Sequence, residues 1–380
     1  MNIGVLTSSR ADFGIYLPLI RRLKAEKGIT YTIISFGTHL SKFHGYTVNE
    51  ILENDLKVEY MLPTLLASET EEGISTSAAL CSMKFSSFWA SHKDEFDVVL
   101  CLGDRYEMFA AVSAGVPFGI RFAHLYGGDR SLGVIDNMYR DSLTHFSSLH
   151  FTSTNSCAER VKQLKFGKEP VEVVGLLSLD DIEEVQLPSL EEFEEKWQID
   201  LSLPTILATI HPETISPEKN HRHSQELVDA FLVLSKTHQI VITMPNADTE
   251  GFVYRESFEK LKKLAPEKIF LIEHFGRTSY FSCMKYSHLL IGNSSSGISE
   301  AASFNRYAIN VGDRQKGRET GPNTFHARFD ATEIVKIAEE ILKYPFYKGE
   351  NIYRRKGGVE KIVTTLKSEI DKRIVNNLLE

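Results

Sequence analysis

The chain has 380 residues, 42% hydrophobic and 25% charged, with a formal net charge of −8. That balance is ordinary for a globular protein of one or two domains, and its acidic excess argues against a nucleic-acid or anionic-membrane surface. No apolar stretch reaches bilayer-spanning length, the N-terminal MNIGVLTSSR has no leader pattern, and Cys81, Cys101, Cys157 and Cys283 form no CxxC or Cys/His cluster, so buried free thiols in a cytoplasmic protein are expected.

Short apolar runs alternate with helical patterns from the first residues onward. Strands are expected at 3–6, 31–36, 98–102, 119–124, 149–152 and 171–174, with helices at 15–25, 78–91, 106–114 and 155–164 between them. Runs such as DVVLCLG are apolar without alternation, which suits strands covered on both faces of a parallel sheet. The alternation pauses over 181–203, where two prolines and an acidic run predict an exposed linker carrying a helix. It resumes with TILATI, QIVITM, KIFLIE, HLLIG and YAINVG as strands and with helices at 224–234, 254–264 and 279–286, and a last amphipathic helix starts at Gly358. The predicted organisation is a Rossmann-like domain over 1–180, a linker over 181–203, a second Rossmann-like domain over 204–356, and a C-terminal helix over 357–380. The fold class is α/β, two doubly wound domains facing a cleft.

Ligands of such sheets lie beyond the carboxyl ends of the strands, so polar residues just after strands are the candidates for chemistry. In LTSSRADFG, Ser8, Ser9 and Arg10 precede a helix expected to start near Ala11 or Asp12. The segment reads equally as a phosphate site or as a capped helix with a solvated arginine. In CLGDRYE and FAHLYGGDRSLGVIDNMYR, strand ends lead to Asp104, His124, Asp129, Asp136 and Arg140. Three carboxylates converging in one cleft suit general acid–base work, because close carboxylates push one another's pKa apart. ATIHPET places His211 and Glu213 after the first strand of the second domain. In IGNSSSGISEAA, Gly292 and Gly297 permit a tight turn, and Ser294, Ser295 and Ser296 add hydroxyls to its N–H groups. That composition suits an anion nest, followed by a helix carrying Glu300 as an acceptor for a ribose diol. The segment is not a P-loop, since no Lys-Ser/Thr follows the second glycine. NVGDRQKGR adds Asp313, Arg314, Lys316 and Arg318 after another strand, a solvated charge run or a source of cations for a pyrophosphate.

Taken together, TSSRADFG, GTHLSKFHGYT, LGDRYE, HLYGGDRSLGVIDNMYR, HPET, NADTEG, IGNSSSGISEA and NVGDRQKGR resemble the hydrolysing branch of the UDP-N-acetylglucosamine 2-epimerases, the type used in sialic and nonulosonic acid synthesis. They occur in family order and span residues 7 to 318. The resemblance implies a GT-B-like fold and a UDP-sugar substrate, with no cofactor and no essential metal. It also implies the reaction: anti elimination of UDP to a 2-acetamidoglucal, then addition of water, giving N-acetylmannosamine. It carries catalytic roles onto Asp104, Asp129, Asp136 and His211. UDP contacts are carried onto Arg10, Ser294, Ser295, Ser296, Gly297, Glu300 and Arg314. A homo-oligomer, dimer or tetramer, and no nucleic-acid or membrane partner are implied as well.

Three departures fall at the sugar end. The family's GGE is Gly127-Gly128-Asp129 here, its paired acids are Asp136-Asn137, and Tyr126 stands where histidine or glutamate is frequent. They open the alternative of UDP-2,4-diacetamido-2,4,6-trideoxyglucose, on the legionaminic acid route, as substrate. A glycosyltransferase of the same fold, or a non-catalytic UDP-sugar binder, are the rival readings.

Overall fold

The computed structural model describes residues 1–379 except 67, 69, 131–134, 214–216 and 246–250, and the side chains of all of these but 217 and 370–379. Most of the NADTEG segment therefore lies outside the described residues, as do four residues of the GGDRSLGVID loop and Thr214. The chain forms two compact units. The first comprises Met1–Asp129, Ile135–Ile182 and Arg354–Glu380, and the second is built on Glu183–Tyr353.

The first unit holds seven strands: β1 (Asn2–Thr7), β2 (Thr30–Phe36), β3 (Val58–Leu62), β4 (Val98–Leu102), β5 (Phe122–Leu125), β6 (Leu149–Thr152) and β7 (Val171–Val173). They pair in parallel in the order β3-β2-β1-β4-β5-β6-β7. The inner strands β1, β2, β4 and β5 feed a core on each face. Val98, Leu100 and Leu102 of β4 join one apolar cluster, while Val99 and Cys101 join the other. This two-sided burial is what an uninterrupted apolar run dictates, and the expected doubly wound class holds. The second unit repeats the plan with β8 (Thr205–Thr209), β9 (Gln239–Thr243), β10 (Ile269–Ile272), β11 (Leu289–Gly292), β12 (Tyr307–Val311) and β13 (Thr324–Ala327). Its all-parallel order is β10-β9-β8-β11-β12-β13.

Both orders reverse direction at one place, between β1 and β4 and between β8 and β11. At such a switch point the connections leave to opposite sides and open a crevice beyond the strand ends. The segments after β1, β4, β8 and β11 carry Arg10, Asp104, His211 and the serine turn.

Several elements differ from the sequence reading. Strands β3 and β13 were not expected. Both lie at sheet edges, and VEYML and TFHA are only partly buried, so neither shows a continuous apolar run. The strand expected over 119–124 starts at Phe122. Pro117 sits in a short 3-10 turn, and Gly119 takes a φ of +69° that ends it. The helices Asp136–Phe146 and Ala331–Ile341 were not identified. The segment expected as an exposed linker with a helix, 181–203, does carry that helix, but from Glu183 on it belongs to the second unit and a few of its residues are buried. Ser189 and Glu192 form a capping box at the start of helix Leu190–Trp197, and Phe193, Ile199 and Leu201 are buried.

The last helix, Gly358–Leu379, packs Val359, Ile362, Val363 and Leu366 into the core of the first unit. Its start is held from far along the chain. The Asp180 carboxylate accepts the N–H groups of Gly357, Gly358 and Val359 at 2.7, 3.2 and 2.8 Å, where a helix has unpaired donors and favours negative charge. Arg22 pairs with Glu360 at 2.8 Å, and Lys367 with Glu26.

Candidate active site

After β1 the chain turns directly into helix Arg10–Ala25. The Ser9 hydroxyl accepts the Asp12 N–H at 3.3 Å, and the buried Asp12 carboxylate takes the Ser8 N–H at 2.9 Å and the Ser8 hydroxyl at 2.6 Å. Ser8 and Ser9 thus satisfy the helix start. The helix begins before Ala11, so Arg10 is its first residue rather than part of the loop. The Arg10 Nε lies 3.0 Å from Glu50, with 48% and 37% of the two side chains exposed. An exposed pair of this kind is worth about 0–1 kcal/mol.

Gly103, at a φ of +76°, turns the chain out of β4 toward Asp104. The end of β5 holds both of its peptide groups. Gly103 N–H donates to the Leu125 carbonyl at 3.0 Å, and the Gly103 carbonyl lies 2.9 Å from His124 Nε2. A carbonyl only accepts, so Nε2 carries the proton. Burial lowers the His124 pKa to about 3, and the neutral ring then accepts the Thr144 hydroxyl at Nδ1, 3.1 Å away. The Gly127-Gly128 turn lies close by. At Gly128 (φ +82°) a Cβ would stand 2.2 Å from the Cys157 carbonyl, so the turn requires glycine.

Arg140, on the helix Asp136–Phe146, is the meeting point. Its side chain is 4% exposed and forms an ion pair with Asp104. Nη1 donates to the Asp129 carbonyl at 2.9 Å and to Asn137 Oδ1 at 2.8 Å. The structure therefore gathers Asp104 and the Asp129 backbone around one guanidinium. Asp136 is the first residue of the same helix, four before Arg140 and on the same face, where the helix dipole favours a carboxylate.

In the second unit, β8 ends at Thr209, and His211 follows two residues later. The His211 N–H donates to Asn293 Oδ1 at 2.7 Å, and the Asn293 amide returns a bond to the His211 carbonyl at 2.8 Å. Asn293 is fully buried, and its own carbonyl accepts Arg314 Nη1 at 3.1 Å and Gln315 Nε2 at 3.0 Å. The Glu213 carboxylate takes the N–H groups of Asp313 and Arg314 at 2.8 and 3.2 Å. The ends of β8, β11 and β12 are thereby tied together. Burial, with a smaller contribution from Arg314, lowers the His211 pKa to about 4, leaving a neutral imidazole at pH 7.

The serine turn departs from expectation. Its helix runs Ser295–Ser299, capped by Ser294, and Glu300 is the C-cap rather than a residue one turn inside. The sequence places the helix after Gly297, but Ser294 caps it as soon as β11 ends, and Gly297 falls within it. Nor are the hydroxyls of Ser294 and Ser296 idle. Ser296 donates to Ser294 at 3.1 Å and meets the Tyr280 hydroxyl at 2.6 Å. Tyr280 meets Thr209 at 3.1 Å, and Thr243 donates to Thr209 at 2.8 Å. This chain of hydroxyls fixes the turn from beneath. Burial, opposed by the charge of Arg277, raises the Glu300 pKa to about 7.

The parts the sequence reading undervalued are Asn293, His124, Thr144 and the hub role of Arg140. Asn293 sits between a glycine and three serines and reads as a turn residue; only its burial marks it as a tie. All four cysteines are buried, and burial pushes the thiols of Cys81, Cys101 and Cys283 up to about 12. Among the described residues no group of three or more His, Cys, Asp or Glu is placed to hold a metal ion, and no helix is long and apolar enough to cross a membrane.

The protein family described as UDP-N-acetylglucosamine 2-epimerase matches residues 21–367. The chain is 31% identical to the hydrolysing UDP-N,N'-diacetylbacillosamine 2-epimerase of Legionella pneumophila, over 92% of this chain and 90% of that one. It is 32% identical to the hydrolysing GDP/UDP-N,N'-diacetylbacillosamine 2-epimerase of Campylobacter jejuni, over 83% of this chain and 81% of that one. Among solved structures, the UDP-GlcNAc 2-epimerase of Neisseria meningitidis bound to UDP-GlcNAc superposes with a TM-score of 0.81 at 18% identity, covering 97% of this chain and 100% of that one.

Proposed function

Because the chain belongs to the UDP-N-acetylglucosamine 2-epimerase family, we propose that it is a hydrolysing 2-epimerase of a UDP-linked 2-acetamido sugar. The C2 proton is taken by a carboxylate while the C1–O bond breaks, and its electron pair leaves with UDP. Water then adds across the resulting double bond of the 2-acetamidoglucal, its oxygen to C1 and a proton to C2 from the opposite face. The products are UDP and the free manno-configured sugar. Asp104, Asp129 and Asp136 serve the proton transfers, with His211 as a neutral polar partner. The developing charge of the leaving diphosphate falls to Arg10, Arg314 and the turn of Ser294, Ser295, Ser296 and Gly297, with Glu300 toward the ribose.

The observation that carries this reading is the gathering of the Asp104 carboxylate, the Asp129 backbone carbonyl and the Asn137 amide on the buried Arg140 at the strand ends of the first unit. A buried arginine that pairs with the Asp104 carboxylate and also holds the backbone of the Asp129 loop beyond a switch point is more than helix capping requires. The sugar is either N-acetylglucosamine or its 2,4-diacetamido-2,4,6-trideoxy relative. The names of the two relatives above weigh toward the second, and the changed residues Asp129 and Asn137 are compatible with it. The test is a proton and phosphorus NMR time course in D₂O with each UDP-sugar separately. Free UDP with a C2-deuterated manno sugar is expected, and the faster substrate identifies the sugar. Asp104→Asn and Asp129→Asn should still bind UDP yet release none from the substrate. Binding without UDP release by the unsubstituted protein would turn the reading toward a transferase or a UDP-sugar binder.

A further inference from the structure

We propose that His124 and Thr144 are positioning residues: a buried imidazole–hydroxyl bridge that sets Asp104 against Arg140 and seats the Gly127–Asp129 turn. The inference rests on the proposed function for its catalytic consequence, although the bridge itself is a property of the fold.

His124 and Thr144 are both 0% exposed, and they join three segments that carry the acidic cluster. Through Nε2 the ring holds the Gly103 carbonyl at 2.9 Å, one residue before Asp104. Through Nδ1 it accepts from Thr144 at 3.1 Å, and Thr144 lies one turn after Arg140 on the same helix. The pair also forms the surface on which the glycine turn rests. A Cβ at Gly127 would stand 2.8 Å from Thr144 Oγ1 and 3.0 Å from His124 Nδ1, so the backbone leading to Asp129 is pressed against both groups. Neither ring nitrogen is left to face a substrate, which distinguishes this histidine from an acid–base group. One imidazole therefore fixes the partners of the Asp104–Arg140 ion pair relative to each other, and a carboxylate that moves a proton loses rate steeply when its position drifts.

Two replacements divide the bridge. In His124→Gln the side-chain amide retains a donor for Gly103 and gives up the Thr144 bond; in His124→Asn the carbonyl retains an acceptor for Thr144 and gives up Gly103. Thr144→Val removes the hydroxyl at nearly constant shape. In steady-state UDP release by the full chain, normalised to folded protein, each variant should lose about 10- to 100-fold in kcat, with KM and UDP affinity within about threefold of the parent. A kcat within twofold of the parent for His124→Asn and Thr144→Val, or a loss confined to KM, overturns the proposal. A second readout needs no turnover. The ¹³C carboxyl resonance of Asp104 should move in His124→Asn, and ¹⁵N spectra of the parent should show a neutral His124 ring protonated at Nε2 between pH 5 and 8. An unmoved Asp104 carboxyl, or a ring protonated at Nδ1, overturns it equally. If the parent releases no UDP from any UDP-sugar, the functional reading fails, and these spectra alone decide the bridge.

Discussion

Replacing Asn293 tests how the second unit assembles its strand ends. The Asn293 amide closes a two-way bond with the backbone of His211, accepting at 2.7 Å and donating at 2.8 Å, and no part of it is exposed. Asn293→Ala removes both partners and leaves a peptide N–H and C=O of His211 buried. Each abandoned group costs about 1–3 kcal/mol. Water entering the space regains part of that, so a net loss of about 2–4 kcal/mol is expected. For a domain of this size, each kcal/mol lowers Tm by about 2–4 °C, which puts the fall at roughly 5–15 °C. Asn293→Asp sharpens the test. At pH 7 its carboxylate keeps the His211 N–H but sets negative charge against the His211 carbonyl, so it should be no more stable than the alanine variant. In acid the protonated Asp regains a donor, so part of the loss should return as pH falls. Because Arg314 and Gln315 hang on the Asn293 carbonyl, UDP affinity should weaken about tenfold, or ~1.4 kcal/mol. The assays are thermal and denaturant unfolding across pH, and calorimetric titration with UDP. An alanine variant that melts within about 1 °C of the parent and binds UDP equally would refute the reasoning.

Three more outcomes are expected. Burial holds the Glu300 carboxyl up to about 7, so if its ionised form accepts the ribose hydroxyls, UDP affinity should rise with pH by up to about tenfold per unit below that value. The unliganded fold responds oppositely, because a raised carboxyl pKa lends stability at low pH that is lost between the unfolded value of 4.5 and about 7; Glu300→Gln should flatten both profiles in calorimetry and in melting curves. Arg140→Gln breaks the Asp104 ion pair and should lower kcat by about 100-fold or more with a smaller change in KM, as read by steady-state UDP release. Asp180→Ala strips three N–H groups at the start of the last helix of their acceptor and should cost the first unit about 1–2 kcal/mol. Hydrogen exchange at 357–359 should accelerate while kcat stays unchanged.

What the sequence revealed tracks how local each signal is. Strands buried on both faces announce themselves as apolar runs, so Val98–Leu102 and Leu149–Thr152 were found to the residue, whereas β3 and β13 at the edges were not. The strand-end positions of Asp104, His211 and the serine turn were legible because glycine and small polar residues break an apolar run in a recognisable way. The ties between those positions were not. Asn293 reaches His211 across 82 residues, Arg140 reaches Asp104 across 36, and Asp180 reaches Gly357 across 177. No periodicity encodes a bond of that separation. The Ser294 cap shows the converse: a local rule was available, but the second glycine drew the helix start three residues too late.

The three departures from the family pattern do not carry equal weight once their surroundings are compared. Tyr126 adopts a φ of +69°, and its hydroxyl accepts the Leu177 N–H at 2.7 Å. It braces the start of a short 3-10 turn, so its substitution concerns how the first unit is built. Asp129 and Asn137 are different, because both meet Arg140. The guanidinium takes a backbone carbonyl from one and a neutral amide oxygen from the other. An acid at 137 would place a second carboxylate against the arginine that pairs with Asp104. The amide oxygen accepts from the same guanidinium without adding a second charge. The shorter Asp129 meanwhile draws its own carboxylate back by about one methylene, roughly 1.5 Å. A site altered in this way keeps the Asp104–Arg140 ion pair with an acid of shorter reach at 129. In the proposed reaction the second candidate sugar differs from the first in having a second acetamido group in place of the 4-hydroxyl and in lacking the 6-hydroxyl, so the choice of substrate and the arrangement around Arg140 are parts of one question.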